Sequence, residues 1–260
     1  ANIFQAKGRP TGHPLIVHIA DISDVRRYAV NIPSAAMSLA EQCWPGPLTL
    51  LLHKSSEVSH LVTGGRDTVA IRIPANECAR RIIDQCGHGL AAPSANVFGH
   101  VSPSTAQHVL DDLGDRVDLI VDDGDCSIGV ESTIVDFTGP EPELLRPGGF
   151  PIEDLESIMG TKLAMPSGES RASGMLASHY APKGKVILVN SLAEAQRVQE
   201  AHSQSRILDY ADNSPLYAAT LYTQMRQADH DGIDMIIAIL PSKTGLGTAI
   251  HDRLTKAAFL

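Results

Sequence analysis

The sequence predicts an α/β protein with a larger N-terminal domain and a small C-terminal one. Short runs of Val, Ile and Leu alternate with amphipathic helical segments along the first 160 residues, as expected of strands and helices that pack in layers. A shorter alternation of the same kind follows residue 183, after a stretch of small and polar residues without periodicity. We therefore predict a domain over 1–160, a linker over 161–183 and an α/β domain over 184–260.

In the N-terminal domain, helices are predicted where apolar residues recur with helical spacing, and strands where short β-branched runs occur. Ser34, directly after Pro33, is expected to cap the first helix. The predicted helices cover 34–43, 77–86, 104–113 and 152–159. The predicted strands cover 14–20, 48–53, 68–73, 90–92, 119–122, 132–137 and 144–146.

The C-terminal domain repeats a strand–helix alternation, which is typical of a parallel sheet. Gly245 and Gly247 are not followed by the third glycine of a dinucleotide fingerprint, so we interpret them as a turn from strand to helix. The predicted strands are 186–189, 206–208 and 235–240, and the predicted helices are 192–202, 216–228 and 247–258.

Composition excludes several classes of protein. A formal charge of −9 and a pI near 5.6 argue against a protein that coats nucleic acid non-specifically, although a local patch could still contact it. The four cysteines form no CxxC pair and no metal-finger spacing, so we expect buried free thiols and a reducing, cytoplasmic setting. No apolar run reaches the roughly 18 residues that span a bilayer, so we expect no membrane partner.

The segment Lys7-Gly8-Arg9-Pro10 places two cations close together before a strand. In an extended chain, side chains two residues apart face the same way, so both charges are able to converge on one anion. Gly8 would allow the backbone to approach that anion closely. The segment is therefore interpreted either as a phosphate-binding loop or as a solvated basic loop.

Two polar side chains interrupt apolar strands. Arg72 must point outward or meet a carboxylate or phosphate, because an unpaired buried guanidinium is costly. His18 lies in an apolar run, where a lone histidine is more often structural than a ligand. Spacing alone leaves both alternatives open.

Small polar residues lie at the ends of other predicted strands. Ser94 and Asn96 follow one strand, and Ser132 and Thr133 begin another, which is a common place for pocket-lining groups. Turn formation and capping are the alternative roles for all four. Because the sequence contains no HxxxH, HExxH, GxSxG or Walker motif, metalloprotease and serine-hydrolase functions lack support, and any nucleotide would be bound by another architecture.

Taken together and in this order, the motifs resemble the YrdC-like threonylcarbamoyl-adenylate synthases. The resemblance covers residues 2–160, and the linker residues Ser173-Gly174-Met175 and His179-Tyr180-Ala181-Pro182 resemble the long form of the family, which has an extra C-terminal domain. The matching segments are 7–10 (KGRP), 14–18 (PLIVH), 44–49 (WPGPLT), 68–74 (TVAIRIP), 93–96 (PSAN), 131–136 (ESTIVD) and 145–148 (LRPG).

The resemblance implies an open, twisted YrdC-like α/β sheet with a positively lined central cavity, followed by a small Rossmann-like α/β domain. It implies a nucleotidyltransferase that makes threonylcarbamoyl-adenylate and pyrophosphate from L-threonine, bicarbonate and ATP. Magnesium is expected to assist, with no metal site built from protein ligands. The product would serve the modification of adenosine 37 of tRNA by a downstream tRNA threonylcarbamoyl transferase machinery, and tRNA itself is a further candidate partner.

The resemblance also implies roles for individual residues. Lys7 and Arg9 would be catalytic, neutralising the phosphates. His179 or Tyr180 would fold back over ATP, so that the linker acts as a lid. The implied ATP contacts are Lys7, Arg9, His13, Asn96, Ser104, Arg146, His179 and Tyr180. The implied threonine contacts are His18, Thr68, Arg72, Ser94 and Ser132.

The sequence departs from the family pattern in two places. The family's N-terminal strand and helix are expected to be missing upstream of residue 1, and position 13 is His where Asn is frequent. The sequence disfavours two other functions. A hydrogenase-maturation carbamoyltransferase would carry zinc-finger cysteine pairs, which are lacking here, and a non-catalytic RNA-binding or regulatory module is disfavoured by the acidic net charge.

Overall fold

The structure, a computed structural model, describes residues 2–166, 171–174 and 180–259. The chain divides into two compact units, one made of Ala1–Pro93 with Glu131–Met175 and the other of Ser94–Val130 with Leu176–Leu260. Residues 94–130 thus lie in the second unit and not with the predicted N-terminal domain, because Val101 and Val130 pack in the same apolar cluster as residues of the C-terminal helices. The predicted boundaries along the chain stay a prediction.

The first unit is built on a seven-stranded mixed sheet. Its strand order is β5-β1-β4-β3-β6-β7, and β2 pairs with β3. The strands are β1 (Ile16–His18), β2 (Ala29–Val30), β3 (Leu48–Lys54), β4 (Thr68–Arg72), β5 (Leu90–Ala92), β6 (Thr133–Asp136) and β7 (Glu143–Arg146). The helices of this unit are α1 (Asn2–Lys7), α2 (Val25–Tyr28), α3 (Ser34–Cys43), α4 (His60–Thr63), α5 (Glu77–Cys86) and α7 (Ile152–Met159).

The two faces of this sheet are covered differently, because successive side chains of a strand point to opposite faces. On one face, residues such as Leu50, Ile71 and Val135 join the main core, which includes residues of α3 and α7. The other face has a smaller apolar cluster, made of Ile16, Leu51, Ala70, Ile134, Leu145 and Ala172. The second face therefore carries the smaller described apolar cluster, although its members are buried too, with Leu51 at 2% and Ile134 at 0% exposure.

The second unit contains a parallel three-stranded sheet of order β8-β10-β9, with strands β8 (Lys185–Val189), β9 (Ser205–Leu208) and β10 (Met235–Ile239). Its helices are α6 (Ala106–Leu113), α8 (Leu192–Glu200), α9 (Ser214–His230) and α10 (Leu246–Ala258). Helix α9 is buried along one side, and its Tyr217, Leu221 and Met225 are fully inaccessible. This confirms the predicted parallel α/β unit and the turn at Gly245, which caps α10.

Most predicted elements are confirmed, and α3, α5, α7 and β5 have the predicted bounds. The predicted strand 119–122 is wrong: these residues form no strand, and Leu119 is 78% exposed, because a short apolar run needs a pairing strand to become one. Pro33, not Ser34, precedes α3, and no side-chain bond caps that helix. The helix predicted from Ser104 begins at Ala106, because Thr105 caps it through the His108 amide.

The four cysteines are free, as predicted, but their burial differs from the expectation. Cys43 is buried, whereas Cys86 and Cys126 are exposed. Within the described ranges, no helix has the length and apolar character needed to cross a membrane.

Candidate functional site

Five of the polar residues in the first unit meet at one edge and on one face of the sheet. β4 runs parallel to β1 and antiparallel to β3, β6 runs parallel to β3, and β7 runs antiparallel to β6. The ends of β1, β4 and β7 therefore lie beside the starts of β3 and β6. Alternation places four of these side chains on the face of Ile16, Ala70 and Ile134, and the fifth, Arg146, which follows a register shift in the β6–β7 pairing, reaches that face through its bond to the Ser132 hydroxyl. These residues are His18, Arg72, Thr49, Ser132 and Arg146.

His18 and Arg72 are direct neighbours on adjacent strands, with paired Cα positions. Burial, followed by the charge of Arg72, lowers the pKa of His18 to about 4, and the Ile16 and Leu90 carbonyls oppose this shift. Nδ1 of His18 lies 3.1 Å from the Ile16 carbonyl oxygen. Since a carbonyl only accepts, we assign the imidazole hydrogen to Nδ1. His18 is therefore a neutral donor beside a permanent cation at physiological pH.

A loop between α3 and β3 holds this edge together. The carbonyl of Gly46 accepts a bond of 3.0 Å from Nε of Arg72, and the Gly46 amide donates to the Ile73 carbonyl at 3.0 Å. The next carbonyl, of Pro47, accepts from the Thr133 amide at 2.8 Å. A Cβ at Gly46 would lie 2.4 Å from the Cys43 carbonyl oxygen, so only glycine fits. The segment 44–49 matters as a positioning element, a role that its sequence alone did not indicate.

Arg146 is a buried cation, 3% exposed, at the end of β7. Its Nε and Nη2 donate to the Ser132 carbonyl at 3.0 and 2.9 Å, and Nη2 also contacts the Ser132 hydroxyl at 3.1 Å. That hydroxyl lies 2.7 Å from Oγ1 of Thr49. The described partners of Arg146 are thus neutral oxygens, which share but do not neutralise its charge. A buried charge of this kind favours an anionic ligand.

Lys7 and Arg9 are both buried, at 4% and 8% exposure, but not in an extended loop. Lys7 ends helix α1, and Gly8 adopts φ +64°. The amides of Gly8 and Arg9 donate to the carbonyls of Gln5 and Phe4, which is the Schellman termination of a helix. The expected i, i+2 alignment of the two cations is therefore wrong, and Gly8 serves the helix end, where a left-handed conformation is needed.

The chain after Arg9 curls around its guanidinium. Nη2 of Arg9 donates to the Pro14 carbonyl at 2.9 Å, and Nε lies 3.4 Å from the His13 carbonyl. Burial lowers the pKa of His13, and the charges of Arg9 and Arg66 lower it further. His13 therefore lies in a cationic surrounding in which its neutral form is favoured.

Ser173 of the predicted linker joins two of the arginines. Its hydroxyl accepts from Arg9 Nη2 at 3.1 Å and donates to the Pro14 carbonyl at 2.8 Å. Its carbonyl accepts from Arg146 Nη1 at 3.0 Å. The sequence pattern 173–175 indicates only the family resemblance and predicts no role for this residue. The contacts bring Arg9 and Arg146 to one place.

Arg171 ties the same short segment to the sheet. Its guanidinium forms ion pairs with Asp136, at 2.9 Å, and with Glu143. Asp136 is 1% exposed and also accepts from the amide and hydroxyl of Thr138 at 2.8 and 2.6 Å. Residues 171–174 are therefore anchored on the first unit by charge at one end and by the Ser173 bonds at the other.

Thr68 shares a strand face with Arg72 but lies at the other end of β4, roughly 13 Å away along the strand by the usual rise of 3.3 Å per residue. The structure does not bring it next to Arg72. Its predicted contact with threonine stays a prediction.

The predicted site residues Ser94, Asn96 and Ser104 belong to the second unit. Asn96 is buried, and its amide nitrogen donates to the His100 carbonyl at 2.8 Å. The Ser104 hydroxyl lies 2.8 Å from Oγ1 of Thr223 and 3.3 Å from Nδ1 of His108. The Asn96 bond, to a carbonyl four residues on, agrees with the turn-forming alternative, and the nucleotide contacts stay predictions.

Tyr180 differs from the expectation of a linker side chain that covers a nucleotide. It is 1% exposed, with φ +63°, and its ring stacks on Tyr222 at a centroid distance of 5.6 Å. The guanidinium of Arg253 lies 5.0 Å from the Tyr180 ring centre. In this structure the ring is a core group of the second unit. His179, the other predicted contact, lies outside the described residues.

Comparisons with known proteins agree with one another. A family model named for Sua5, YciO and YrdC, described as telomere recombination, matches residues 1–148, and a model of the threonylcarbamoyl-AMP synthase C-terminal domain matches residues 150–259.

Two curated relatives match over nearly the whole chain. A threonylcarbamoyl-AMP synthase of Pyrococcus abyssi is 39% identical, over 98% of this chain and 83% of the relative. One of Bacillus subtilis is 38% identical, over 98% of this chain and 82% of the relative. The crystal structure of P. abyssi Sua5 complexed with L-threonine superposes with a TM-score of 0.93 at 37% identity, covering 98% of this chain and 83% of that one.

Proposed function

The chain belongs to the Sua5/YciO/YrdC family and has the C-terminal domain of threonylcarbamoyl-AMP synthases, and from this premise we propose that it makes threonylcarbamoyl-adenylate. The substrates are L-threonine, bicarbonate and ATP, and the second product is pyrophosphate. The observation that carries the proposal is the cationic edge of the sheet, where buried Arg146 is held by neutral oxygens beside Ser132. Binding of threonine in the related P. abyssi structure supports the assignment of the amino-acid substrate.

The proposed reaction needs no protein nucleophile. Threonine's amine first takes up the carbon of bicarbonate, with loss of water, and becomes an N-carboxylate. An oxygen of this group then attacks the α-phosphorus of ATP, and the bond from that phosphorus to the bridging oxygen of pyrophosphate breaks. Both substrates are anionic at the reacting centre, so preorganised cations and correct orientation provide the acceleration.

Arg72 and His18 suit the amino-acid part of the substrate. The guanidinium fork of Arg72 would bind the carboxylate of threonine in a charge-assisted pair. Because the pKa of His18 is lowered to about 4, its ring adds no second positive charge that would repel the threonine amine. The Ser132 hydroxyl, fixed by Thr49 and Arg146, would complete the threonine contacts. Thr68 and Ser94 remain predicted contributors.

The remaining cations of the first unit suit the phosphates of ATP. Lys7, Arg9 and Arg146 would neutralise the triphosphate and the leaving pyrophosphate, and the Ser173 bridge keeps the two arginines together before ATP binds. His13, Asn96, Ser104 and His179 remain predicted nucleotide contacts.

Magnesium would arrive with ATP. Within the described ranges, no group of three or more His, Cys, Asp or Glu side chains is arranged to hold a metal ion. Phosphate oxygens, which magnesium prefers, would hold it as part of the substrate.

The product would be consumed by a transferase that modifies adenosine 37 of tRNA in the cytoplasm. The net charge of −9 disfavours strong direct binding of tRNA by this chain. A non-catalytic RNA-binding module is not favoured, because the matching full-length relatives are named as synthases.

The test is pyrophosphate release from ATP, with and without L-threonine and bicarbonate. Release should require both co-substrates. Arg72→Gln should raise the KM for threonine by about 10- to 100-fold, since a charge-assisted pair contributes about 1.5–3 kcal/mol, and leave the KM for ATP within about twofold. Arg197→Gln, on α8, is the matched control and should match wild type. Pyrophosphate release that does not depend on threonine, measured on folded protein, would refute the proposal.

A further inference from the structure

Helix α9 directs two polar side chains at the segment that carries the predicted nucleotide contacts. Thr223 and Arg226 are three residues apart, so they lie on the same side of the helix. Both contact residues of the stretch 94–130, with which α9 forms the second unit. The C-terminal part of the chain thus touches a segment that precedes it by about a hundred residues, as the separations of 119 and 124 show.

Arg226 binds both the backbone and a carboxylate of this segment. Its Nε donates to the Ser102 carbonyl at 3.3 Å, and Nη2 donates to the Val101 carbonyl. Nη1 and Nη2 reach the two carboxylate oxygens of Asp112 at 3.0 and 2.7 Å. Burial, the largest single cause, raises the pKa of Asp112, but the bonds and charge of Arg226, with smaller effects of the His100 charge and the Val97 backbone, together leave this pKa below its usual value. The guanidinium therefore ties the start of the segment to helix α6.

Thr223 reaches the Ser104 side chain. The two hydroxyl oxygens are 2.8 Å apart, and Ser104 also approaches Nδ1 of His108 through its hydroxyl and its amide, both at 3.3 Å. The Ser104 carbonyl accepts from the Cys126 amide at 2.9 Å. Ser104 is thus fixed from α6, from α9 and from the far end of its own segment.

Apolar packing supports the same attachment. Val101 and Val130, near the two ends of the segment, are 3% and 5% exposed in the cluster that contains Tyr217 and Leu221 of α9. Gly129 lies so close to α9 that a Cβ there would be 2.4 Å from the Ala218 carbonyl oxygen. The contact is therefore continuous rather than two isolated bonds.

We propose that Thr223 and Arg226 are positioning residues for ATP: they fix the loop from Asn96 to Ser104 in the geometry that binds the nucleotide. This inference rests on the proposed function and gives the C-terminal domain a part in ATP binding. Neither residue needs to touch the nucleotide. Loss of either one would let the loop sample other conformations, which weakens nucleotide binding and leaves the threonine contacts that lie in the first unit, such as Arg72 and Ser132, unchanged.

The experiment compares Thr223→Val with Thr223→Ser and with Thr220→Val in the full chain. Thr220 is the matched control, because it lies on the same helix and its described hydroxyl bond stays within that helix, to the Leu216 carbonyl at 2.8 Å. Thr223→Val should weaken ATP binding in calorimetry about three- to tenfold, the effect of one lost hydrogen bond, with the KM for threonine within about twofold. Thr223→Ser should restore wild-type affinity, and Thr220→Val should not alter it. Arg226→Gln should weaken ATP binding by at least as much.

Each outcome decides the matter. Unchanged ATP affinity in Thr223→Val, or no restoration by serine, would overturn the inference, as would equal losses for ATP and threonine with a lowered Tm. Weakened ATP binding in Thr223→Val without threonine-dependent pyrophosphate release in wild type would support the inference and refute the proposed function. Wild-type protein that binds no ATP would refute both.

Discussion

His18 should make this protein less stable in mild acid, and the size of its pKa shift in the folded state determines how much free energy of unfolding is lost. Its pKa falls from 6.5 to about 4 because of burial and then because of the neighbouring Arg72. Between these two values the unfolded chain binds a proton at this residue and the folded chain does not, so stability rises with pH. Above pH 6.5, His18 is neutral in both states and does not lower the free energy of unfolding. As the pH falls from 6.5 toward 4, protonation of the unfolded chain lowers that free energy. At about 1.4 kcal/mol per pKa unit, the loss is about 3 kcal/mol.

His18→Gln isolates this effect, because glutamine cannot be protonated in either state. The free energy of unfolding would be measured in urea at pH 7.5 and again near pH 4.5. The wild type should lose roughly 2–3 kcal/mol more than the variant between these conditions, since every other titrating group is common to both. His202→Gln, at an exposed position, is the control and should follow the wild type. Parallel pH dependences for wild type and His18→Gln would refute the reasoning that His18 is held neutral by its site.

Three further variants test the contacts that hold the site. Ser173→Ala should raise the KM for ATP severalfold in steady-state assays, because the arginines lose a shared hydroxyl, while Ser157→Ala on the surface should not. Arg171→Gln should lower the free energy of unfolding by about 1–3 kcal/mol, because it leaves the buried carboxylate of Asp136 without its ion pair. An unchanged Tm would contradict this. Gly46→Ala should both lower the Tm and raise the KM for threonine. The added Cβ would lie 2.4 Å from the Cys43 carbonyl oxygen, and the resulting shift would displace the Gly46 carbonyl that holds the Arg72 guanidinium. A threonine KM equal to wild type would show that this loop does not position the arginine.

Local sequence patterns were sufficient to predict many of the helices and strands. Helices 77–86 and 152–159 were predicted at their observed bounds, since their apolar spacing and their glycine ends are local signals. The same reasoning failed for 119–122, where a short apolar run predicted a strand but Leu119 and Val121 are exposed. It also missed α1, a helix of six residues with too little pattern to be recognised.

The sequence by itself determined the family, the α/β class and the polar residues at strand ends, because motifs and periodicity are properties of neighbouring residues. Only the tertiary structure decided which of these groups meet. The bond between Thr49 and Ser132 joins residues 83 positions apart, and the one between Arg9 and Ser173 spans 164. The packing of residues 94–130 with the C-terminal helices is likewise invisible in any local window, because it depends on buried surfaces that become complementary only once both segments have folded.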